Sequence, residues 1–119
     1  MTVQVRKQNK VSILDCSGDV DLYSSPRLRE ALMAEIMADG PSVLVNMSGV
    51  AYIDSSGIAT LVEGLQQSRQ TKTHFGLFGL RPNARSVLEL ARLHKVFAIF
   101  EGEAEALEKI GSIQPFDGV

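Results

Sequence analysis

The sequence predicts an α/β domain with a mixed, mostly parallel central sheet of about four to five strands and about four helices. Two patterns carry this prediction. Strand-like and helix-like segments alternate along most of the chain, which is typical of parallel strands joined by helical crossovers. The apolar run over residues 43–47 indicates a strand that is covered on both faces. At 119 residues the chain is long enough to bury one core, so we expect one domain.

Five segments have the patterns of β-strands. The first two alternate apolar and polar residues and are separated by a polar turn, whereas the third is almost continuously apolar. The fourth contains Gly76 and is followed by Gly79. That spacing suggests tight packing, because it does not make the phosphate-binding G-x-G-x-x-G pattern. The predicted strands are residues 2–5, 11–16, 43–47, 75–78 and 96–100.

Four segments have the patterns of helices. The first begins at Ser24, a serine cap that is followed by Pro26 in the first turn, and it ends at Gly40-Pro41. The second follows Ser55 and has apolar residues at helical spacing. The last three predicted helices cover residues 55–69, 82–91 and 103–110.

Composition excludes several classes of function. The formal net charge is -2 and the basic residues are scattered, so we expect no direct binding of nucleic acid. No apolar run approaches about 18 residues and no signal-like segment follows the first methionine, so we expect a cytoplasmic protein without membrane insertion. The single cysteine, Cys16, lies in a strand pattern and is interpreted as a buried small hydrophobic residue.

The residues do not predict an enzyme, a cofactor or a metal site. His74 and His94 are the two histidines, and neither has a spacing that predicts contact with a nucleophilic serine. The G-x-S-x-G motif of serine hydrolases is absent. Asp15, Asp19 and Asp21 alternate, but no calcium-binding loop follows them, so capping or solvation is the expected role.

The segment Asp54-Ser55-Ser56-Gly57 permits two interpretations. It precedes an amphipathic helix, so one of its side chains can cap the first turn. A cap needs only one oxygen, however, and Asp54 can itself provide it. Two hydroxyls beside a glycine therefore leave room for a docking or modification site.

Three motifs together resemble the bacterial STAS-domain anti-sigma factor antagonists. Residues 17–21 (Ser-Gly-Asp-Val-Asp) resemble the turn before the family's first helix, and residues 54–57 resemble its phosphorylation motif. Residues 81–83 and 93–100 resemble its closing helix and strand. The resemblance covers residues 3–110 and implies a STAS-like domain over residues 1–111, followed by a C-terminal tail over residues 112–119.

The resemblance implies a binding protein that takes part in partner switching. The unphosphorylated form would bind an anti-sigma factor, a serine kinase of the histidine-kinase-like ATPase fold, and so release the sigma factor. Phosphorylation at the motif would end that binding, and a PP2C-type phosphatase would restore it. By its position in the motif Ser55 is the acceptor, and Ser56 is the second candidate.

The resemblance also implies a partner-binding surface that includes the solvent face of the second helix. On that face we expect Thr60, Glu63 and Gly64, although Gly64 in mid-helix can instead indicate close packing inside the protein. Ala59 departs from the family, where many members have a glycine. The implied surface consists of Asp19, Asp21, Asp54, Ser55, Ser56, Gly57, Thr60 and Glu63.

Two other roles for a STAS domain stay open. One is a subunit that braces the ATPase of a lipid-transporting ABC system and needs no phosphorylation. The other is a scaffold in a larger signalling complex. Ser55-Ser56 favours the antagonist, because the transport subunits often replace these serines. A small unrelated enzyme is the remaining alternative.

Overall fold

Strands and helices alternate along residues 1–112, the part of the chain that the computed structural model describes. The helices within residues 1–112 are too short or too polar to span a lipid bilayer. Apart from Ser112, the predicted tail lies outside the described residues. The strands are β1 (Thr2–Gln8), β2 (Val11–Ser17), β3 (Ser42–Gly49), β4 (His74–Phe78) and β5 (Ala98–Phe100). The helices are α1 (Ser25–Ile36), α2 (Ser55–Thr71), α3 (Pro82–Leu90) and α4 (Glu103–Lys109), followed by a 3-10 turn over Ile110–Ser112.

The five strands form one sheet in the order β1-β2-β3-β4-β5. The β1–β2 pair is antiparallel, because Asn9 and Lys10 adopt left-handed conformations that turn the chain back on itself. The other three pairs are parallel, since a helix lies between each strand and the next one. The predicted α/β class, with a mixed and mostly parallel sheet, is confirmed.

Successive side chains of the strands point to opposite faces of the sheet, and each face has its own apolar core. The larger core lies under α1, α2 and α3 and includes the fully buried Leu14 and Val45. The smaller core lies under α4 and includes Ile13 and Leu44. Cys16 is buried in the larger core, as predicted, and burial raises the pKa of its thiol to about 12.

Helices α1 and α2 pack closely at Gly64. A Cβ atom on Gly64 would lie 2.5 Å from Cδ2 of Leu32 in α1, closer than carbon atoms can approach. Gly64 therefore faces α1 inside the protein. This decides between the two interpretations of Gly64 that the sequence left open.

Strand β5 begins two residues later than the sequence pattern predicts. The backbone N–H groups of Val96 and Phe97 donate to the carbonyl of Leu93 at 3.0 and 3.2 Å. Residues 96 and 97 thus belong to a turn, and pairing with β4 begins only at Ala98.

An ion-pair network, which we call the Arg6 clamp, joins Arg6 of β1, Asp15 of β2 and Glu103 of α4. Nε of Arg6 donates to Oδ2 of Asp15 at 2.6 Å, and Nη1 donates to Oε2 of Glu103 at 3.1 Å. Asn46 of β3 also donates to Asp15, at 2.8 Å. The hydrogen bonds from Arg6 lower the pKa of both carboxyl groups. The clamp fastens α4 to the first two strands, and both carboxylate oxygens of Asp15 accept hydrogen bonds within it.

Candidate functional site

Helix α2 begins where two loops meet at the carboxyl edge of the sheet. Val20, in the loop after β2, and Ile53, in the loop after β3, form an isolated parallel bridge. The N–H of Val20 donates to the carbonyl of Tyr52 at 2.9 Å, and the N–H of Asp54 donates to the carbonyl of Val20 at 3.0 Å. The bridge places the two motifs of the sequence, residues 17–21 and 54–57, side by side.

Asn83 in the first turn of α3 holds the same bridge from the other side. Its Oδ1 accepts a hydrogen bond from the N–H of Ile53 at 2.9 Å. From the sequence, Asn83 was placed at the start of α3 and in the closing motif of the resemblance, but no contact with Ile53 was predicted. The available signal was its place in a motif that the resemblance had already singled out.

Asp54, rather than a serine, caps α2. Its Oδ1 accepts hydrogen bonds from the N–H groups of Ser56 at 2.9 Å and Gly57 at 3.3 Å. Ser55 is exposed and Ser56 is half-buried, and neither hydroxyl has a hydrogen-bond partner within residues 1–112. Because the carboxylate satisfies the first-turn amides, both hydroxyls are surplus to the cap.

Gly57 packs directly on the bridge below α2. A Cβ atom at this position would lie 2.4 Å from Cγ1 of Ile53 and 2.7 Å from Cγ1 of Val20. Both distances are far below van der Waals contact, so the first turn can lie this close to the two loops only with glycine at position 57. This packing fixes the position of the first turn of α2, which includes Ser55.

The loop before α1 is ordered by the carboxylate of Asp21. Oδ1 of Asp21 accepts from the N–H groups of Tyr23 and Ser24, each at 3.0 Å. The hydrogen bond from the N–H of Ser24 contributes most to lowering the pKa of Asp21, and the bond from Tyr23 adds to it. Ser24 occupies the N-cap position of α1, as predicted, but its hydroxyl makes no capping hydrogen bond. Its Oγ instead accepts from the N–H of Asp21 at 2.9 Å and donates to the carbonyl of Asp19 at 2.8 Å. Asp19 itself is exposed.

The prediction that Thr60 lies on the solvent face of α2 was wrong. Thr60 is buried, and its hydroxyl donates to the carbonyl of Ser56 at 3.1 Å. It lies one turn before Gly64, on the side of α2 that α1 covers. The apolar residues of α2 indicated only the side that packs on the sheet, so the burial of this other side was not predicted. Glu63 is half-buried and pairs with Arg29 of α1 at 3.0 Å. Ala59 is exposed near the start of the helix.

Three large apolar side chains are exposed on the two bridged loops. Tyr23 is 91% exposed, Leu22 is 65% exposed and Tyr52 is 46% exposed. No role was predicted for them from the sequence. For two of them the signal in the sequence was the adjacent apolar pair Leu22-Tyr23, in a loop whose other apolar residue, Val20, is buried.

The site does not bring together the groups that catalysis by Ser55 would need. His74 opens β4, at the edge of the sheet opposite to Ser55, and His94 follows the end of α3. Within residues 1–112, no group of three or more His, Cys, Asp or Glu side chains could hold a metal ion. The arrangement offers an exposed, uncommitted hydroxyl to a second molecule.

Comparison with known proteins identifies similar chains. The STAS domain family model matches residues 2–106. The anti-sigma-F factor antagonist RsfB of Mycobacterium tuberculosis is 32% identical over 108 residues, which are 90% of this chain and 87% of RsfB. An anti-sigma-B factor antagonist of Listeria monocytogenes is 28% identical over 89 residues, which are 75% of this chain and 78% of that protein.

A similar fold has been observed in a solved structure. The crystal structure of an anti-sigma factor antagonist from Mycobacterium paratuberculosis superimposes with a TM-score of 0.85. The two sequences are 25% identical, and the superposition covers 92% of each chain. The order of strands and helices described above is therefore shared along nearly the whole length of both proteins.

Proposed function

This chain belongs to the STAS domain family, and we propose that it is an anti-sigma factor antagonist. In the unphosphorylated form it binds an anti-sigma factor, and the sigma factor held by that protein is released. Two relatives whose names describe this role support the proposal, since each aligns with three quarters or more of the chain.

We further propose that Ser55 is the residue at which binding is switched. The anti-sigma factor, a serine kinase of the histidine-kinase-like ATPase fold, transfers the γ-phosphoryl group of ATP to Oγ of Ser55. A bond forms between Oγ and phosphorus as the bond from phosphorus to the leaving oxygen of ADP breaks, and the hydroxyl proton passes to a base of the kinase. A PP2C-type phosphatase reverses the change with water and releases inorganic phosphate.

One observation carries this proposal: Asp54 caps α2 and leaves the hydroxyl of Ser55 exposed and uncommitted. A serine that served as the cap would lose its hydrogen bonds on phosphorylation, and the helix start would change. Ser55 can accept a phosphoryl group without losing an internal bond. Ser56 is half-buried, so a kinase reaches it less readily, and the structure favours Ser55 between the two serines.

Phosphorylation at Ser55 changes binding far more than folding. The phosphoryl group adds about -1.5 to -2 charges at the start of a helix, where the helix dipole stabilises an anion by about 0.3–1 kcal/mol. In an interface shaped for a neutral hydroxyl, the same dianion must lose water beside the carboxylate of Asp54. Such desolvation costs several kcal/mol, so the bound partner dissociates while the fold persists.

Purified anti-sigma factors from the source genome provide the test. Each is incubated with the chain and ATP, and mass spectrometry locates the phosphate. We expect phosphate on Ser55 and none on Ser55→Ala. Calorimetry should show that Ser55→Glu weakens binding by about 100-fold or more, while its circular dichroism and melting temperature stay near those of the wild type.

Ser56→Ala is the matched control for the site of modification, and it should take up phosphate on Ser55 like the wild type. Ser55→Glu that binds as tightly as the wild type would contradict the switch. A chain that binds none of the anti-sigma factors and takes up no phosphate would contradict the antagonist function and favour a bracing or scaffold role.

A further inference from the structure

We propose that Leu22, Tyr23 and Tyr52, which we call the apolar patch, form the centre of the surface that binds the anti-sigma factor. The inference rests on the proposed function and names the side chains that provide affinity. In this arrangement the patch provides most of the binding affinity, and phosphorylation of the neighbouring Ser55 ends the binding.

The distribution of exposed apolar residues supports the patch. Within residues 1–112, four other large apolar side chains are exposed, and they are spread over the first strand, the end of α1, the end of α3 and the turn before β5. The patch residues instead lie on two loops that the Val20–Ile53 bridge joins. Apolar side chains that cluster on a surface mark an interaction site more often than single ones do. The dispersed residues are Val5, Met37, Leu90 and Val96.

The backbone beneath the patch is ordered before any partner arrives. The carbonyl of Tyr52 accepts a hydrogen bond from Val20 at 2.9 Å, and the N–H of Tyr23 donates to Asp21 at 3.0 Å. Binding therefore does not have to order these loops, which reduces its entropic cost. Tyrosines on rigid loops are frequent hot spots, because a large ring is buried at the cost of few rotatable bonds.

The position of the patch identifies its occupant. Tyr52 lies three residues before Ser55, and Gly57 packs against the same Val20 that carries the loop of Leu22 and Tyr23. A partner that reaches the hydroxyl of Ser55 thus meets these loops. We assign the patch to the anti-sigma factor, whose facing surface needs an apolar pocket for Tyr23 beside a neutral contact to Ser55.

Three substitutions, Leu22→Ser, Tyr23→Ser and Tyr52→Ser, test the patch in the full chain. Calorimetry measures their binding to the purified anti-sigma factor that the wild type binds. We expect Tyr23→Ser to raise Kd by about 30-fold, and the other two by about 10-fold each. Leu90→Ser is the matched control, since Leu90 is 85% exposed at the far end of α3, and it should change Kd by less than about 2-fold.

The outcomes separate this inference from the function on which it rests. If the wild type binds an anti-sigma factor and all three patch variants bind equally well, the patch is wrong and the antagonist function stands. An equal loss in Leu90→Ser also overturns the patch. Sedimentation that shows a wild-type dimer lost in Tyr23→Ser, with binding of the anti-sigma factor unchanged, would assign the patch to a second copy of this chain. No binding by the wild type would overturn the proposed function itself.

Discussion

The start of α2 and the Arg6 clamp both place carboxylates at the surface, but they use them differently. In the clamp, the charges of Asp15 and Glu103 are met by the guanidinium of Arg6, and the three residues tie three separate elements together. At the start of α2, the carboxylate of Asp54 meets only backbone amides. The hydroxyl of Ser55 beside it meets nothing within residues 1–112.

The difference separates polar groups that hold the fold together from the hydroxyl that we propose as the binding switch. A polar group whose partners lie on other elements holds those elements in place. A polar group left without an internal partner, on a helix start that is tightly packed from below, is available to another molecule. The comparison therefore predicts that substitutions in the clamp and beneath α2 reduce stability, whereas changes at Ser55 affect binding.

The largest expected effect comes from filling the space beneath α2. Gly57→Val places a branched side chain against Ile53 and Val20, where even a Cβ atom is too close. We expect the free energy of unfolding to fall by about 3 kcal/mol, because neither neighbour can withdraw without disturbing the bridge. Urea denaturation followed by circular dichroism measures the loss.

Gly40→Val is the control for this substitution, since a Cβ atom at Gly40 meets no heavy atom within 4 Å. It should change the free energy of unfolding by less than about 0.5 kcal/mol. Equal effects at the two glycines would show that the close packing under α2 is not what requires glycine.

A smaller loss is expected from opening the clamp. Arg6→Met removes the shared partner of Asp15 and Glu103, and we expect a loss of about 1–2 kcal/mol at pH 7, since the network is only partly exposed. Both carboxyl groups have pKa values lowered in the folded state. Their contribution is therefore present above about pH 4 and is lost as the pH falls through the folded-state values.

The difference in stability between wild type and Arg6→Met should accordingly shrink as the pH falls below about 4. Arg29→Met, which breaks the more exposed pair with Glu63, should cost less than about 0.5 kcal/mol and show little dependence on pH. A difference at Arg6 that stays constant down to pH 2 would mean that packing, not charge, sustains the clamp.

The smallest of the three stability effects concerns the cap. Asp54→Ala leaves the N–H groups of Ser56 and Gly57 without their acceptor, and we expect a loss of about 1 kcal/mol. Asp54→Asn keeps an acceptor oxygen and should stay within about 0.3 kcal/mol of the wild type. Thermal denaturation of the three proteins measures the effect. Full stability in Asp54→Ala would indicate that a serine hydroxyl can take over the cap.

Local patterns predicted the elements well. The apolar run that became β3 and the alternation that became β2 each reflect which faces of a strand are covered. The late start of β5 could not be predicted, because a turn bond to Leu93 competes with the sheet for the N–H groups of Val96 and Phe97. Apolar composition does not reveal which partner an amide prefers.

The placement of the candidate site's residues was predicted in part. The motif resemblance selected residues 17–21 and 54–57, and the structure brings these segments together through the Val20–Ile53 bridge. The sequence-based prediction placed Thr60 on the wrong side of α2, because the packing of α1 against α2 is decided by the tertiary structure. No role for Tyr23 and Tyr52 was predicted from the sequence, since the residue type does not show whether a tyrosine is exposed.

The sequence by itself determined the order of elements, the class of fold and the segments of the candidate site, because each depends on patterns that are local along the chain. Only the three-dimensional structure decided that Asp54 caps α2 and that the hydroxyl of Ser55 has no internal partner in the part of the chain that the structure describes. It also decided that neighbouring side chains occupy the place that a side chain would need at positions 57 and 64. The contacts of Gly57 with Val20 and of Gly64 with Leu32 join segments distant in sequence. The cap is local, but the backbone conformation at position 54 decides which of the adjacent side chains provides it. The hydroxyl of Ser55 is available to a second molecule because Asp54 already accepts the first-turn N–H groups.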